Sequence, residues 1–348
     1  MRIRSLFIFF ILIAIAGCGR NSESRRAEVR IGYFGNLTHA QAVLGVESGE
    51  FQQAVGSDKH IVSSVYNAGP SLIEALLAGE IDIGYVGPGP ALAAHACTRG
   101  RGVRVIAGAA NNGVLIVARK DSGIRTLGDL KGRRVATPQL GNTQDISARH
   151  YLTGVLGQKD TGNVLPISNT EQSALMQRKQ IDASWAPEPW GSRLIAETGA
   201  TLIARESDLW PEGQFNLTVV VTSPEFLEKH PDIVQKVLNV HRSWTQRLRD
   251  EPSKYVPDLE RALLKLNGKK LPPGVMAAAL KNVTFTNEPS EPTFRVQSQW
   301  AYDLDFSLVP TRVEGLIEAD LQGPATRPTG TALRPSSASN SKLSEKAS

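Results

Sequence analysis

The side chains best placed to do chemistry in this 348-residue sequence sit on loops that follow short apolar runs. They are Asn36, Thr38 and His39; Asn111 and Asn112; Asn142, Thr143 and Gln144; and Glu188. All but His39 and Glu188 are neutral, and neutral amides and hydroxyls on turns suit binding and release better than bond making. Gly87 and Gly89 join them, because a glycine lets backbone approach a ligand closely. Each asparagine also has an ordinary use as a turn or cap residue. Glu188 has two uses: accepting from an amine, or fixing the turn Pro187-Glu188-Pro189. Signatures of other chemistry are missing. The six histidines, His39, His60, His95, His150, His230 and His241, form no close metal-ligand pair. No Gly-x-Ser-x-Gly elbow supplies a hydrolase serine. Neither a Gly-x-x-x-x-Gly-Lys-Ser/Thr loop nor a Gly-x-Gly-x-x-Gly turn supplies a nucleotide site. No metal or other cofactor is expected.

Two of these clusters share one grammar. Arg134-Val135-Ala136 reads as a strand end, Gly141-Asn142 as a turn, Thr143 as an N-cap, and Ile146 to Leu152 as a helix. Val29 to Phe34 is likewise a strand, Gly35-Asn36 a turn, and a helix runs from about Ala40 to Phe51. A helix start exposes unpaired N–H groups and about half a positive charge, a ready seat for an anion or a polar carbonyl. A second echo links Ile81-Asp82 to Ile181-Asp182. Each follows an amphipathic helix and leads through a short strand into a Pro-x-Pro turn, Pro88-Gly89-Pro90 or Pro187-Glu188-Pro189. The doubled units suggest two lobes, each offering one helix start to a shared ligand, and the second echo leads to the expectation that these lobes are built alike.

Strand–helix alternation runs through Ile61–Tyr66, Ser71–Gly79, Ile81–Val86, Ala91–Cys97 and Val103–Ala110. It argues for an open α/β sheet with ligands at the strand ends. Val114–Ala118 reads as the crossing into a second lobe and Asn216–Thr222 as the return. Ser223 caps the next helix, and long helices follow over 231–250, 255–266, 273–281 and about 293–306. The expected division is a leader (1–17), a tether (18–27), lobe one (28–112 and 219–322), lobe two (113–218) and a tail (323–348). That tail is Ser-, Thr-, Pro- and Ala-rich and is expected to be disordered.

The leader is basic at Arg2 and Arg4, apolar from Leu6 to Ala16, and ends in small residues before Cys18. It describes an export signal too short to span a membrane permanently. Small residues directly before Cys18 are the pattern of a bacterial lipoprotein signal, with Cys18 lipidated. Cys97 would then be the one thiol left, and is expected to pack as a small hydrophobe. The net charge of +5 resides at the ends: Arg2 and Arg4 in the leader, and Arg327, Arg334, Lys342 and Lys346 against Glu345 in the tail. The body is near neutral, so a nucleic-acid groove is not indicated.

Gly32-Tyr33-Phe34-Gly35-Asn36-Leu37-Thr38-His39-Ala40-Gln41-Ala42, Asp82 to Ala91, Ala136 to Asp145, and Asp182 through Pro189-Trp190 together resemble the four ligand loops of the periplasmic nitrate/sulfonate/taurine-binding family of ABC importers. That family also includes binders of thiamine-pyrimidine precursors. The resemblance runs from about Val29 to His241. It implies a two-lobed periplasmic binding protein of type II-like fold: two doubly wound α/β sheets joined by two hinge strands and closing on ligand by hinge motion. It further implies a monomeric, membrane-anchored receptor in the bacterial periplasm or at the cell surface. Such a receptor captures a small anionic or zwitterionic solute and delivers it to an ABC permease and its ATPase. The family often has Pro where this chain has Gly35, and no Arg is obviously placed in the pocket. Two alternatives remain open: a sensor with the same shape, or a pyrimidine-synthase-like enzyme with His39 as its reactive group.

Overall fold

The computed structural model describes residues 28–318 and 321. The leader, Cys18, the tether and the tail from 323 onward lie outside the described residues.

The chain opens with β1 (Glu28–Phe34), a single 3-10 turn at Leu37–His39, and α1 (Ala40–Glu47). The single helix expected to Phe51 is broken. Gly49 takes a left-handed conformation (φ 73°), which ends α1, and α2 (Glu50–Val55) restarts beyond it. There follow β2 (His60–Tyr66), α3 (Gly69–Leu77), β3 (Ile83–Val86), α4 (Pro88–Cys97) and β4 (Arg104–Asn112). Cys97, expected to be packed, is exposed on the last turn of α4.

Beyond β4 the chain builds β5 (Val114–Ala118), β6 (Val135–Thr137), α5 (Thr143–His150), β7 (Val164–Pro166), α6 (Asn169–Gln177), β8 (Ala183–Pro187), α7 (Trp190–Thr198) and β9 (Thr201–Arg205). It then returns through β10 (Asn216–Thr222) to α8 (Pro224–Lys229), α9 (Pro231–Asp250), α10 (Val256–Asn267), α11 (Val275–Leu280), β11 (Val283–Phe285) and α12 (Glu291–Asp303). Ser223 caps α8 as expected, its hydroxyl accepting from Phe226 N at 3.0 Å.

These strands form two sheets. The first has the order β11-β4-β10-β3-β1-β2, and the second β7-β6-β8-β5-β9. β1 lies parallel to β2 and β3, whereas β10 runs antiparallel between β3 and β4. That reversal follows from its role as the returning strand. Apolar cores lie on both faces of each sheet, so both are doubly wound. The first sheet packs Phe51, Val237 and Leu259 on one face and Leu72, Leu92 and Phe294 on the other.

The Ile-Asp echo has a physical meaning. Asp82 Oδ2 accepts from Arg30 N (2.8 Å) and Arg30 Nε (3.0 Å), and Arg30 Nη1 reaches Gly79 O at 2.5 Å. Asp182 Oδ2 accepts from Arg134 N (3.1 Å) and Nε (2.9 Å), and Arg134 Nη2 reaches Lys179 O at 2.7 Å. Gly79 and Lys179 are both left-handed, at φ 69° and 60°. Each lobe thus pins its first parallel strand to the next with one Arg–Asp clamp. Hydrogen bonds from Arg134, with Arg119 adding to them, hold the Asp182 carboxyl far below the usual carboxylate range. Asp182→Asn is expected to lower the unfolding free energy at neutral pH by about 2–3 kcal/mol in urea titrations. A carboxyl depressed in the folded state stabilises above its unfolded pKa of about 4 and loses that contribution as pH falls below it. The gap between variant and parent therefore narrows in acid.

Two crossings join the sheets. At the first, Asn112 (φ 61°) and Gly113 (φ 79°) are both left-handed. Asn112 N donates to Phe215 O at 3.0 Å and Phe215 N to Asn112 Oδ1 at 3.3 Å. Asn216 Nδ2 donates to Asn111 Oδ1 at 2.5 Å. The outgoing and returning strands are therefore tied to each other. A Cβ on Gly113 would lie 2.7 Å from Val283 Cγ2, so both space and φ demand glycine there. α12 does not belong to one lobe. Phe294 sits in a first-lobe core, while Val296 and Trp300 pack on the second-lobe core around Trp185 and Trp210.

Candidate ligand site

Five helix starts converge on one cavity between the lobes. From the first lobe come the turn Leu37–His39, with Asn36 before it, the start of α3 at Gly69, preceded by Asn67 and Ala68, and the start of α4 at Gly87. The second lobe supplies the start of α5, with Asn142, Thr143 and Gln144, and that of α6 at Asn169. Thr218 of β10 completes the polar wall. The free volume between these groups is about 30 Å³. Around it the lobes touch: Trp190 Nε1 donates to Asn36 Oδ1 at 2.6 Å and Gly89 N to Thr143 Oγ1 at 3.3 Å. The conformation is closed.

Local sequence explains the start of α5. The cap is Asn142 rather than Thr143: its Oδ1 accepts from Asp145 N at 2.8 Å. Asp145 is fully buried and ties the loop from behind. Its carboxylate accepts from Thr137 Oγ1 (2.7 Å), Gly141 N (3.0 Å) and Arg149 Nε (2.8 Å). Arg149 neutralises that charge one turn along the helix, so the start of α5 presents N–H groups to the cavity without a neighbouring uncompensated anion.

No lysine or arginine lines the cavity. Its one titratable wall residue is His39, whose pKa burial pushes down to about 3. His39 Nδ1 accepts from Phe34 N at 3.3 Å, which assigns the hydrogen of the neutral ring to Nε2. Every polar wall group is thus neutral. Affinity of the cavity for a fully ionised small anion is expected to change by less than about twofold from roughly pH 5 to 8. Calorimetric titration across that range checks this. Weakening through the ordinary histidine range would mean that His39 binds as a cation.

The structure gathers Asn36, Thr38, His39, Gly87, Asn142, Thr143 and Gln144 around one space. Gly89 lies just behind it, at the lobe contact. Three expected ligand residues lie elsewhere. Asn111 and Asn112 are hinge residues, because their amides satisfy the returning strand. Glu188 is fully buried; its oxygens accept from Ser192 N (3.0 Å), Ser192 Oγ (2.7 Å) and Asn282 Nδ2 (2.7 Å). Burial pushes its carboxyl up, and these donors pull against that shift. Of the two uses open to Glu188, the structure selects the turn: it braces the start of α7. Asn67, Asn169 and Thr218 are wall residues that sequence reasoning missed. Tyr66-Asn67-Ala68-Gly69-Pro70 and Ser168-Asn169-Thr170 each carry the strand–turn–helix signal, but neither repeats the Gly-Asn turn.

Two doubly wound lobes, two hinge crossings and a cleft ringed by helix starts define a two-lobed binding protein. Residues 22–255 match the NMT1-like family, and the chain belongs to that family. It is 27% identical over 216 residues to a Brucella abortus (strain 2308) protein named as a binding protein, spanning 61% of this chain and 64% of that relative's length. Among solved structures it resembles the alkanesulfonate-binding protein from Xanthomonas axonopodis pv. citri bound to MOPS. There the TM-score is 0.69, with 23% identity over 84% of this chain and 98% of that one. The periplasmic aliphatic sulphonate binding protein from Escherichia coli gives a TM-score of 0.67, with 22% identity over 91% and 98%. At these identities the two structures establish the shared fold.

Proposed function

We propose that this protein is the solute receptor of an ABC importer and closes on a small monoanion or zwitterion with a sulfonate-type head group. The observation that carries the reading is the ring of five helix starts around a cavity lined by no cationic side chain. Several partial positive dipoles suit an anion whose single charge is spread over equivalent oxygens. A dianion such as phosphate would call for arginine or lysine. Both structural relatives are named for sulfonates, which supports the same class. His39 acts as a positioned donor, so the cavity is one for binding and release rather than reaction. The receptor works as a monomer, with Cys18 lipidated to hold it at the membrane and pass solute to the permease and its ATPase.

Calorimetry and melting shifts with ethanesulfonate, taurine, nitrate and phosphate test the ligand class. Sulfonates or taurine are expected to bind more tightly than phosphate. No heat or melting shift with any sulfonate, taurine or nitrate would overturn the proposal. For the anchor, Cys18→Ser is expected to move the protein from the membrane fraction to the soluble fraction of cells. Unchanged fractionation would remove the lipid from the scheme.

A further inference from the structure

A second cavity lies at the far end of α5, away from the cleft, and holds about 50 Å³. Trp185, Trp210, Trp300, Tyr151 and His150 wall it, and Val155 and Leu209 stand at its mouth. Trp210 stacks on Phe215 at 4.8 Å and 8°, and Trp300 stacks on His150 at 4.4 Å and 14°. The two indoles meet at 4.5 Å and 52°. The rings therefore pack against one another around the cavity. Glu206 lies inside, 1% exposed. Its Oε2 accepts from Trp185 Nε1 at 2.7 Å and its Oε1 from Trp210 Nε1 at 3.1 Å. Among the described residues no lysine or arginine forms an ion pair with it. Burial pushes its pKa up to about 7, against the pull of Ser147 and the two indoles.

A buried carboxylate met only by neutral donors is poorly compensated. Aromatic rings add negative potential at their faces, which favours cations. We propose that this cavity is a second ligand site that takes a small organic ammonium ion, with Glu206 as counter-charge and the tryptophans and Tyr151 as its walls. The volume fits about four non-hydrogen atoms, the size range from methylammonium to trimethylammonium. Val155, 60% exposed, marks the way in. The site shares no wall residue with the cleft, so it stands whether or not the cleft binds sulfonates.

The test titrates the mature protein with methylammonium and trimethylammonium chloride, with sodium chloride as the matched control, and reads tryptophan fluorescence. Saturation transfer from protein aromatic protons to the ligand methyl groups provides an independent signal. The expected result is a saturable change absent with sodium chloride, weakened at least tenfold in Glu206→Gln and in Trp300→Leu. Trp300 is half-buried, so the second variant serves if the first does not fold. A response that stays linear and equals the sodium chloride control would overturn the proposal. So would variant curves that superimpose on the parent.

Discussion

Gly87→Ala weakens ligand binding by about tenfold to a hundredfold, the effect of forcing one methyl group into a packed contact worth about 1–3 kcal/mol. Gly87 has φ −73° and ψ 156°, a conformation any residue adopts, so the backbone tolerates alanine. The obstacle arises between the lobes. A Cβ there would lie 2.2 Å from Thr143 Oγ1 and 3.3 Å from Thr143 Cβ, with Leu217 O at 3.5 Å. Thr143 belongs to the other lobe and already accepts from Gly89 N, so moving it aside breaks a bond that forms on closure. Lobes moved apart at the crossings would not make that contact. The melting temperature without ligand should therefore stay within a few degrees of the parent, while calorimetric affinity drops. Adding Thr143→Ala removes the obstructing oxygen, so the double variant should bind better than the two separate losses combined would allow. Strict additivity would place the effect of Gly87 somewhere other than this contact.

Loss of the Asp145 carboxylate is the second large effect, and it falls on both stability and affinity. Asp145→Ala leaves Arg149 with a nearly buried guanidinium and no counter-charge, a change of about 3–5 kcal/mol for such pairs. Arg149 keeps Thr161 Oγ1 at 2.6 Å and Val164 O at 3.1 Å, neither of which carries charge. The loop from Thr137 to Gly141 loses its ties at the same time, so the helix start that faces the ligand is no longer held from behind. Affinity should fall roughly tenfold or more even where the variant remains folded. Urea unfolding and calorimetry measure the two effects separately. Combining Asp145→Ala with Arg149→Met removes the stranded charge and should recover part of the stability. A double variant no more stable than Asp145→Ala alone would show that the charge is not the source of the loss.

These effects rest on parts that differ in how legible they were in the chain. The strand–turn–helix phrases at 36 and 142 identified two facing helix starts, because Gly-Asn turns and cap residues act within a few residues of one another. The cap itself was one residue off. Asn142 and Thr143 both have cap chemistry, and only the backbone path shows that Asn142 Oδ1 meets Asp145 N. Asn111 and Asn112 looked like ligand residues for the same local reason. Their partners, Phe215 and Asn216, lie more than a hundred positions away, so nothing nearby could reveal the hinge.

The echo of Asp82 and Asp182 marked paired lobes in the sequence, yet its cause, the clamps on Arg30 and Arg134, appears only once parallel strands lie side by side. By itself the sequence determined the alternation of strands and helices, the doubled loops and the near-neutral body, since periodicity, turn chemistry and charge are local properties. Tertiary structure alone decided which starts share a cavity, that α12 straps both lobes, and that Glu206 lies among tryptophans. Those facts depend on contacts between segments far apart in the chain, which no window of residues contains.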